Sequence, residues 1–113
     1  MASEMGTIIK DIEHVRGDTL EFLVVIKGNT GTVSAVSFGC RTSLSASSYA
    51  FQKTLGNGIT SLGDGKYDVK ASPADTASLA AGLYDYDLQF TISDEVFTPM
   101  MGKLHLLMDV THA

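Results

Sequence analysis

The sequence predicts an all-β fold, an antiparallel β-sandwich of about seven or eight short strands with one short helical turn near residues 73–80. Segments in which apolar and polar residues alternate recur along the 113 residues, and clusters of turn-forming residues separate them. Eleven glycines against two prolines are typical of a fold with many tight turns and bulges. The length and the 44% hydrophobic fraction indicate one soluble domain over residues 7–113, preceded by a loose leader at 1–6.

The most regular pattern lies between residues 72 and 92. Ser72 is a typical N-cap, Pro73 suits the first helical position, and Asp75 brings a negative charge to the helix N-terminus. We expect the turn to end at Gly82 in a left-handed conformation. A strand of strict alternation follows, with Tyr84, Tyr86, Leu88, Phe90 and Ile92 on one face and Asp85, Asp87 and Gln89 on the other.

Shorter patterns predict the other strands, at residues 7–15, 19–27, 36–44, 49–55, 59–62, 66–71 and 96–111. Turns are predicted between them at 16–18, 28–31, 56–58, 63–65 and 93–95. The first strand is expected at a sheet edge, because Lys10, Asp11 and Glu13 interrupt its apolar pattern. Pro99 and Gly102 are expected to bend or interrupt the last strand.

The charge of the chain argues against several classes of partner. The net charge is −5 and the eight basic residues are scattered, which disfavours a nucleic-acid surface and an anionic membrane surface. The N-terminus has no basic region followed by an apolar run, so no secretory signal is expected, and no apolar run is long enough to span a bilayer. Cys40 is the single cysteine, which excludes an intrachain disulfide and fits synthesis in a cytosol.

Residues that could carry chemistry are few, and each has a simpler structural interpretation. His14, His105 and His112 have no metal-ligand spacing, and Cys40 has no activating partner, which indicates a buried structural thiol. Asp85 and Asp87 are about 7 Å apart on one strand face. Such pairs occur in glycosidases, but nothing in the sequence raises a pKa here, and a solvated face is the simpler interpretation. We therefore expect no catalytic residue, metal or cofactor.

The tripeptide at 16–18 spells Arg-Gly-Asp, a sequence that binds integrins in other proteins. A turn before the next strand explains the same three residues, since Gly17 supplies backbone freedom and Asp18 can bond nearby amides.

Residues 79–86, Leu-x-x-Gly-x-Tyr-x-Tyr, resemble a corner of immunoglobulin-like sandwiches, where a tyrosine hydroxyl bonds to backbone upstream. Tyr84 would hold the place of that tyrosine, and Tyr86 that of a cysteine two residues later. The chain has no cysteine pair and no tryptophan. The resemblance therefore implies an immunoglobulin-like architecture without membership of the antibody superfamily.

Three longer segments, RGDTLEFLVVI, GDGKYDVKASPADTASLAAGLYDYDLQFTI and GKLHLLMDVT, are similar to phage and prophage virion proteins. They resemble the immunoglobulin-like N-terminal modules of baseplate upper proteins and related tail or fibre components. The family's opening RGD-T strand, its proline-aspartate-threonine turn leading to glycine-x-tyrosine, and its closing D-V-T strand correspond to 16–19, 73–84 and 102–111. The resemblance implies a structural role without enzymatic activity, in a virion assembled in the bacterial cytoplasm.

The same resemblance implies protein partners, namely other virion proteins and further copies of this chain. The candidate interface residues are Leu23, Val25, Met100, Met101 and Leu107. The alternative for these five is that an edge loop or the bend in the last strand covers them.

Two other functional classes stay open. One is a carbohydrate- or host-surface-binding module, which would need exposed aromatic residues, and Tyr49 and Phe97 are the candidates. The other is a small enzyme, which an acid-rich cleft would favour.

Overall fold

A computed structural model describes residues 7–26, 32–43 and 45–109, which form one curled mixed β-sheet and one short helix. The elements are β1 (Ile8–Ile9), β2 (Ile12–Val15), β3 (Leu20–Val25), β4 (Val33–Arg41), β5 (Phe51–Leu55), β6 (Gly58–Gly63), β7 (Lys66–Ala71), α1 (Pro73–Ala77), β8 (Gly82–Ile92) and β9 (Glu95–Leu107). The mostly β composition and the helical turn are confirmed. The predicted leader at 1–6, the turn at 28–31 and the strand end at 110–111 lie outside the described residues.

The strand order along the sheet is β1-β9-β8-β4-β5-β6-β7-β3, and β2 follows β1 along the same side of β9. β1 and β2 run parallel to β9, and β5 runs parallel to β6, whereas the other neighbours are antiparallel. The prediction of a purely antiparallel arrangement is therefore wrong.

The short link between β2 and β3 explains why the sheet curls. These two strands lie at opposite ends of the strand order, which in a flat sheet would separate them by about 34 Å. Residues 16–19 join them and can span at most about 18 Å from Val15 to Leu20. The sheet must therefore bend until its two ends approach each other, as in a half-barrel.

Aromatic side chains fill the inside of the curl. The Phe38 ring on β4 is fully buried, and its centroid lies 5.5 Å from that of Phe22 on β3, although three strands separate β4 from β3 in the sheet. Tyr67 and Phe90 make a second edge-to-face contact across the fold, at 5.1 Å. The curl therefore has two halves, one with β9, β8, β4 and β5 and the other with β6, β7 and β3. Their inner faces pack against each other as the two sheets of a sandwich would.

The two halves nevertheless belong to one sheet. β5 and β6 pair in parallel at Thr54–Gly58 and Leu55–Ile59, around a tight turn at residues 56–57. Gly56 and Gly58 permit that turn with φ values of +87° and +97°. The predicted two-sheet, immunoglobulin-like sandwich is therefore wrong, because local pairing between consecutive short strands continues the sheet where a sandwich would divide it.

The alternation predicted for individual strands is confirmed. The inward residues of β8 are all buried, namely Tyr84, Tyr86, Leu88, Phe90 and Ile92. The same holds for the inward residues of β7, namely Tyr67, Val69 and Ala71. The apolar face of β3 packs against this core with Leu20, Phe22 and Val24 partly buried.

The first predicted strand is broken into β1 and β2 at Lys10 and Asp11. The Lys10 N–H donates to the Met101 carbonyl at 2.9 Å, but the Lys10 carbonyl turns inward and accepts from the Tyr86 hydroxyl. A side chain on Gly102 would overlap the Lys10 carbonyl oxygen. Gly102 therefore permits the backbones of β9 and residue 10 to approach closely, whereas the sequence predicted a bend or an interruption at this glycine.

Pro99 does lie at an irregularity in β9. The register between β8 and β9 shifts between the pairs Leu88–Met100 and Phe90–Phe97, which leaves an extra residue in β9. The hairpin predicted at 93–95 is also confirmed, with Ser93 and Asp94 at φ values of 50° and 67° between the two strands.

Within the described ranges, no helix is long and apolar enough to cross a membrane.

Candidate functional site

The Arg-Gly-Asp turn is tied into one corner of the fold. The Arg16 guanidinium donates to Asp109 Oδ1 at 3.0 Å through Nε and to the Leu79 carbonyl at 3.2 Å. The Gly17 N–H donates to the Thr76 hydroxyl at 2.9 Å, and Thr76 is completely buried in α1. Receptor binding would need the arginine free to reach a partner, so these contacts favour the turn interpretation of this tripeptide.

Helix α1 belongs to the same corner. The Asp75 carboxylate accepts from the Ser72 N–H at 2.7 Å, which places its charge at the helix N-terminus as predicted, and pairs with Lys53 Nζ on β5 at 2.8 Å. Burial alone would raise the pKa of Asp75, but the bonds from Lys53 and Ser72 together lower it below its usual value. The helix ends at Ala77, and Gly82 begins β8 with a φ of 149°, so the predicted end at Gly82 is wrong.

Tyr84 makes the hydrogen bond that the corner motif predicts. Its hydroxyl donates to the carbonyl of Ala80, four residues upstream, at 2.6 Å, and its ring is buried. The bond ties the start of β8 to the loop that leaves α1. The segments at 16–19, 73–84 and 102–111, which carry the family resemblance, thus contribute residues to one hydrogen-bonded corner.

A cleft of about 290 Å³ opens on the opposite, outer face of the sheet, over β4, β8 and β9. Its lining is partly polar and partly apolar and consists of Gly39, Arg41, Tyr49, Asp85, Tyr86, Asp87, Gln89 and Met101. Alternation explains Asp85, Asp87 and Gln89, because the residues of β8 between its buried positions point to this face, whereas the side chain of Tyr86 points into the core.

An aromatic ring forms one wall of the cleft. Tyr49 lies so close over Gly39 that a β-carbon at Gly39 would overlap the ring. The Arg41 guanidinium lies 4.4 Å from the ring centroid and donates to the Ala46 carbonyl at 3.1 Å, which holds it in place. Tyr49 is nevertheless 43% exposed.

The two aspartates of the cleft have different surroundings. Asp85 pairs with Lys103 Nζ at 2.6 Å. No such bridge is formed by Asp87 within the described residues, and burial raises the pKa of its carboxyl, an effect that the charge of Arg41 partly offsets. The expectation that nothing raises a pKa at this pair is therefore wrong for Asp87.

The histidines and the cysteine have structural surroundings. His14 is buried with Nε2 3.0 Å from the Asp18 carbonyl oxygen, and His105 Nδ1 lies 3.9 Å from Glu13 Oε2. Cys40 is buried as predicted, and burial together with the charge of Asp85 raises the pKa of its thiol to about 12. His112 lies outside the described residues, and among those described no three His, Cys, Asp or Glu residues group as a metal site would require.

The five candidate interface residues lie in two regions of the sheet. Leu23 and Val25 are 56% and 42% exposed on the edge strand β3. Met100, Met101 and Leu107 are partly buried on β9, and five strands separate β9 from β3 in the sheet. Met100 packs against the core, whereas Met101 lines the cleft. No contact in the structure tests them as an interface, and they stay a prediction.

The sequence interpretation missed two features of the surface. Ile8 and Ile9 of β1 are 64% and 70% exposed and place apolar side chains at the other edge of the sheet. The cleft was also missed, although the run Asp85-x-Asp87-x-Gln89 marked a polar face. Arg41 and Tyr49, which complete the cleft, come from a distant part of the sequence.

In comparisons with known proteins, no protein-family model matches the chain and no curated protein matches it significantly.

Proposed function

We propose that the protein is a non-enzymatic structural module of a phage or prophage virion, in the baseplate, tail or fibre attachment. It assembles with copies of itself and with other virion proteins in the bacterial cytoplasm. The motif resemblance motivates this proposal. The three segments that carry the resemblance meet at one corner, where Arg16 bonds to Asp109 and Gly17 to Thr76. This supports the proposal, because proteins that share a fold are expected to share the residues that stabilise it.

The main structural support for self-assembly is the edge strand β3. An edge strand presents unpaired backbone groups to any strand that can align with it, and proteins usually protect such edges with Lys, Pro or a bulge. The described strand, Leu20–Val25, has no Lys, Pro or bulge, and its exposed face carries Leu23 and Val25 beside a single charged residue, Glu21. Such an edge favours a strand-to-strand contact with another chain.

A second copy of this chain is the partner that β3 suits. Two copies paired antiparallel about Leu23 would place Leu23 against its own symmetry mate and Val25 against Glu21. The two Glu21 carboxylates would then lie apart, and the apolar side chains would meet across the pair. A two-fold contact of this kind closes on itself and is the simplest symmetric assembly.

The test is the substitution Leu23→Glu, compared with Leu83→Glu as a matched control. Leu83 is 63% exposed, but it lies on β8, inside the sheet. We expect Leu23→Glu to abolish self-association and Leu83→Glu to leave it unchanged. The glutamate at position 23 would lie opposite Asp68, so a small fall in the melting temperature of that monomer is expected from charge repulsion. Equal association of both variants would exclude β3 as the interface.

A further inference from the structure

We propose that the cleft over β4, β8 and β9 binds a single neutral sugar ring, as part of a glycan. This inference does not depend on self-assembly through β3, because none of the residues that line the cleft belongs to that strand. Its volume of about 290 Å³ lies just below the ~300–1,000 Å³ range of small-molecule sites, which favours a ligand of one ring.

The charges in and beside the cleft balance. Asp85 and Asp87 are opposed by Arg41, and by Lys103 through its 2.6 Å contact with Asp85. A site with no net charge gives no electrostatic preference to an anion or a cation. This balance favours a neutral ligand.

The polar groups suit a ligand that both donates and accepts hydrogen bonds. Carboxylates only accept, a guanidinium only donates, and the amide of Gln89 does both. Asp87 has no ion pair within the described residues and is half-buried, so its carboxylate oxygens gain most from a hydroxyl donor. Sugar hydroxyls supply donors and acceptors in one small ring.

The apolar part of the cleft suits the C–H face of that ring. Tyr49 keeps 43% of its surface exposed although Gly39 lies against its ring, and Arg41 restrains the ring from one side. Met101 adds a flexible apolar side chain to the lining. Of the two aromatic candidates from the sequence, Tyr49 lines the cleft, while Phe97 packs partly buried against the core.

The test is an NMR titration of the ¹⁵N-labelled chain with the methyl glycosides of glucose, galactose, mannose and N-acetylglucosamine, each to high millimolar concentration. We expect at least one to give saturable shifts confined to amides around the cleft, including Gly39, Arg41 and Asp87. Saturable shifts elsewhere, or none with any of the four, would overturn the proposal. N-acetylneuraminic acid and N-acetylarginine amide serve as anionic and cationic probes, and tighter binding of either would also overturn it.

Two isosteric variants separate the cleft from general charge effects. Asp87→Asn removes the carboxylate and should weaken binding about tenfold, because hydrogen bonds to charged groups contribute more than neutral ones. Asp64→Asn removes one charge from the exposed turn between β6 and β7 and should leave binding unchanged. Equal loss in both variants, or full binding by Asp87→Asn, would contradict the assignment.

Discussion

The carboxylate of Asp87 is partly buried in the folded protein. Burial raises the pKa of its carboxyl above the unfolded value of about 3.9, and Arg41 offsets only part of the effect. The folded chain therefore holds this proton more tightly than the unfolded chain. The resulting stabilisation is complete below the unfolded pKa and is lost as the pH rises through the folded pKa.

Replacement of Asp87 by Asn should accordingly raise the free energy of unfolding at neutral pH, and the gain should disappear below about pH 3.9. Denaturant unfolding at both pH values measures this difference. Asp64→Asn is the control and should change stability little at either pH. A loss of stability in Asp87→Asn at neutral pH would show that the carboxylate makes a favourable contact that the described contacts do not include.

Gly102 and Gly39 provide a matched pair for the cost of an added methyl group. At Gly102 the new atom would meet the backbone carbonyl of Lys10, whereas at Gly39 it would meet the ring of Tyr49, which can turn away. We expect Gly102→Ala to lower the free energy of unfolding by about 1–3 kcal/mol, as overpacking does. Gly39→Ala should cost less and displace Tyr49. Equal costs in denaturant unfolding would contradict this account of the break between β1 and β2.

At the scale of elements, one buried hydroxyl links the turn after β2 to α1. The Gly17 N–H donates to Thr76, which is fully buried, so Thr76→Val leaves a donor without its partner. We expect a loss of about 1–3 kcal/mol in the free energy of unfolding. Thr60→Val on β6 makes the same chemical change at an exposed position and should be close to neutral. A small effect at Thr76 would mean that water replaces its hydroxyl.

Sequence patterns predicted those elements that depend on residues within one short segment of the chain. The alternation in β8 and β7 follows from a single buried face, and the Ser72–Asp75 cap follows from residues three apart. The break in the first strand was not predictable, because it depends on Gly102 lying opposite Lys10. The cleft likewise needs Arg41 and Tyr49 to meet β8, and no periodicity within one segment signals such a contact.

For the molecule as a whole, the sequence predicted the core but not the connectivity around it. The contact between Phe22 and Phe38 is the face-to-face packing of a sandwich, yet the Thr54–Gly58 pairing joins both halves into one curled sheet. A single sheet that does not close has two edges, and both carry exposed apolar side chains, Ile8 and Ile9 on β1 and Leu23 and Val25 on β3. This arrangement is the basis of the proposal that the chain assembles with itself.

The solution mass tests that proposal most directly, by size-exclusion chromatography with light scattering over a series of protein concentrations. The chain mass is 12.0 kDa, and we predict a discrete multiple of it that persists on dilution and falls to 12.0 kDa in Leu23→Glu but not in Leu83→Glu. A strict 12.0 kDa monomer of the unmodified chain at the highest concentration would contradict self-association through β3.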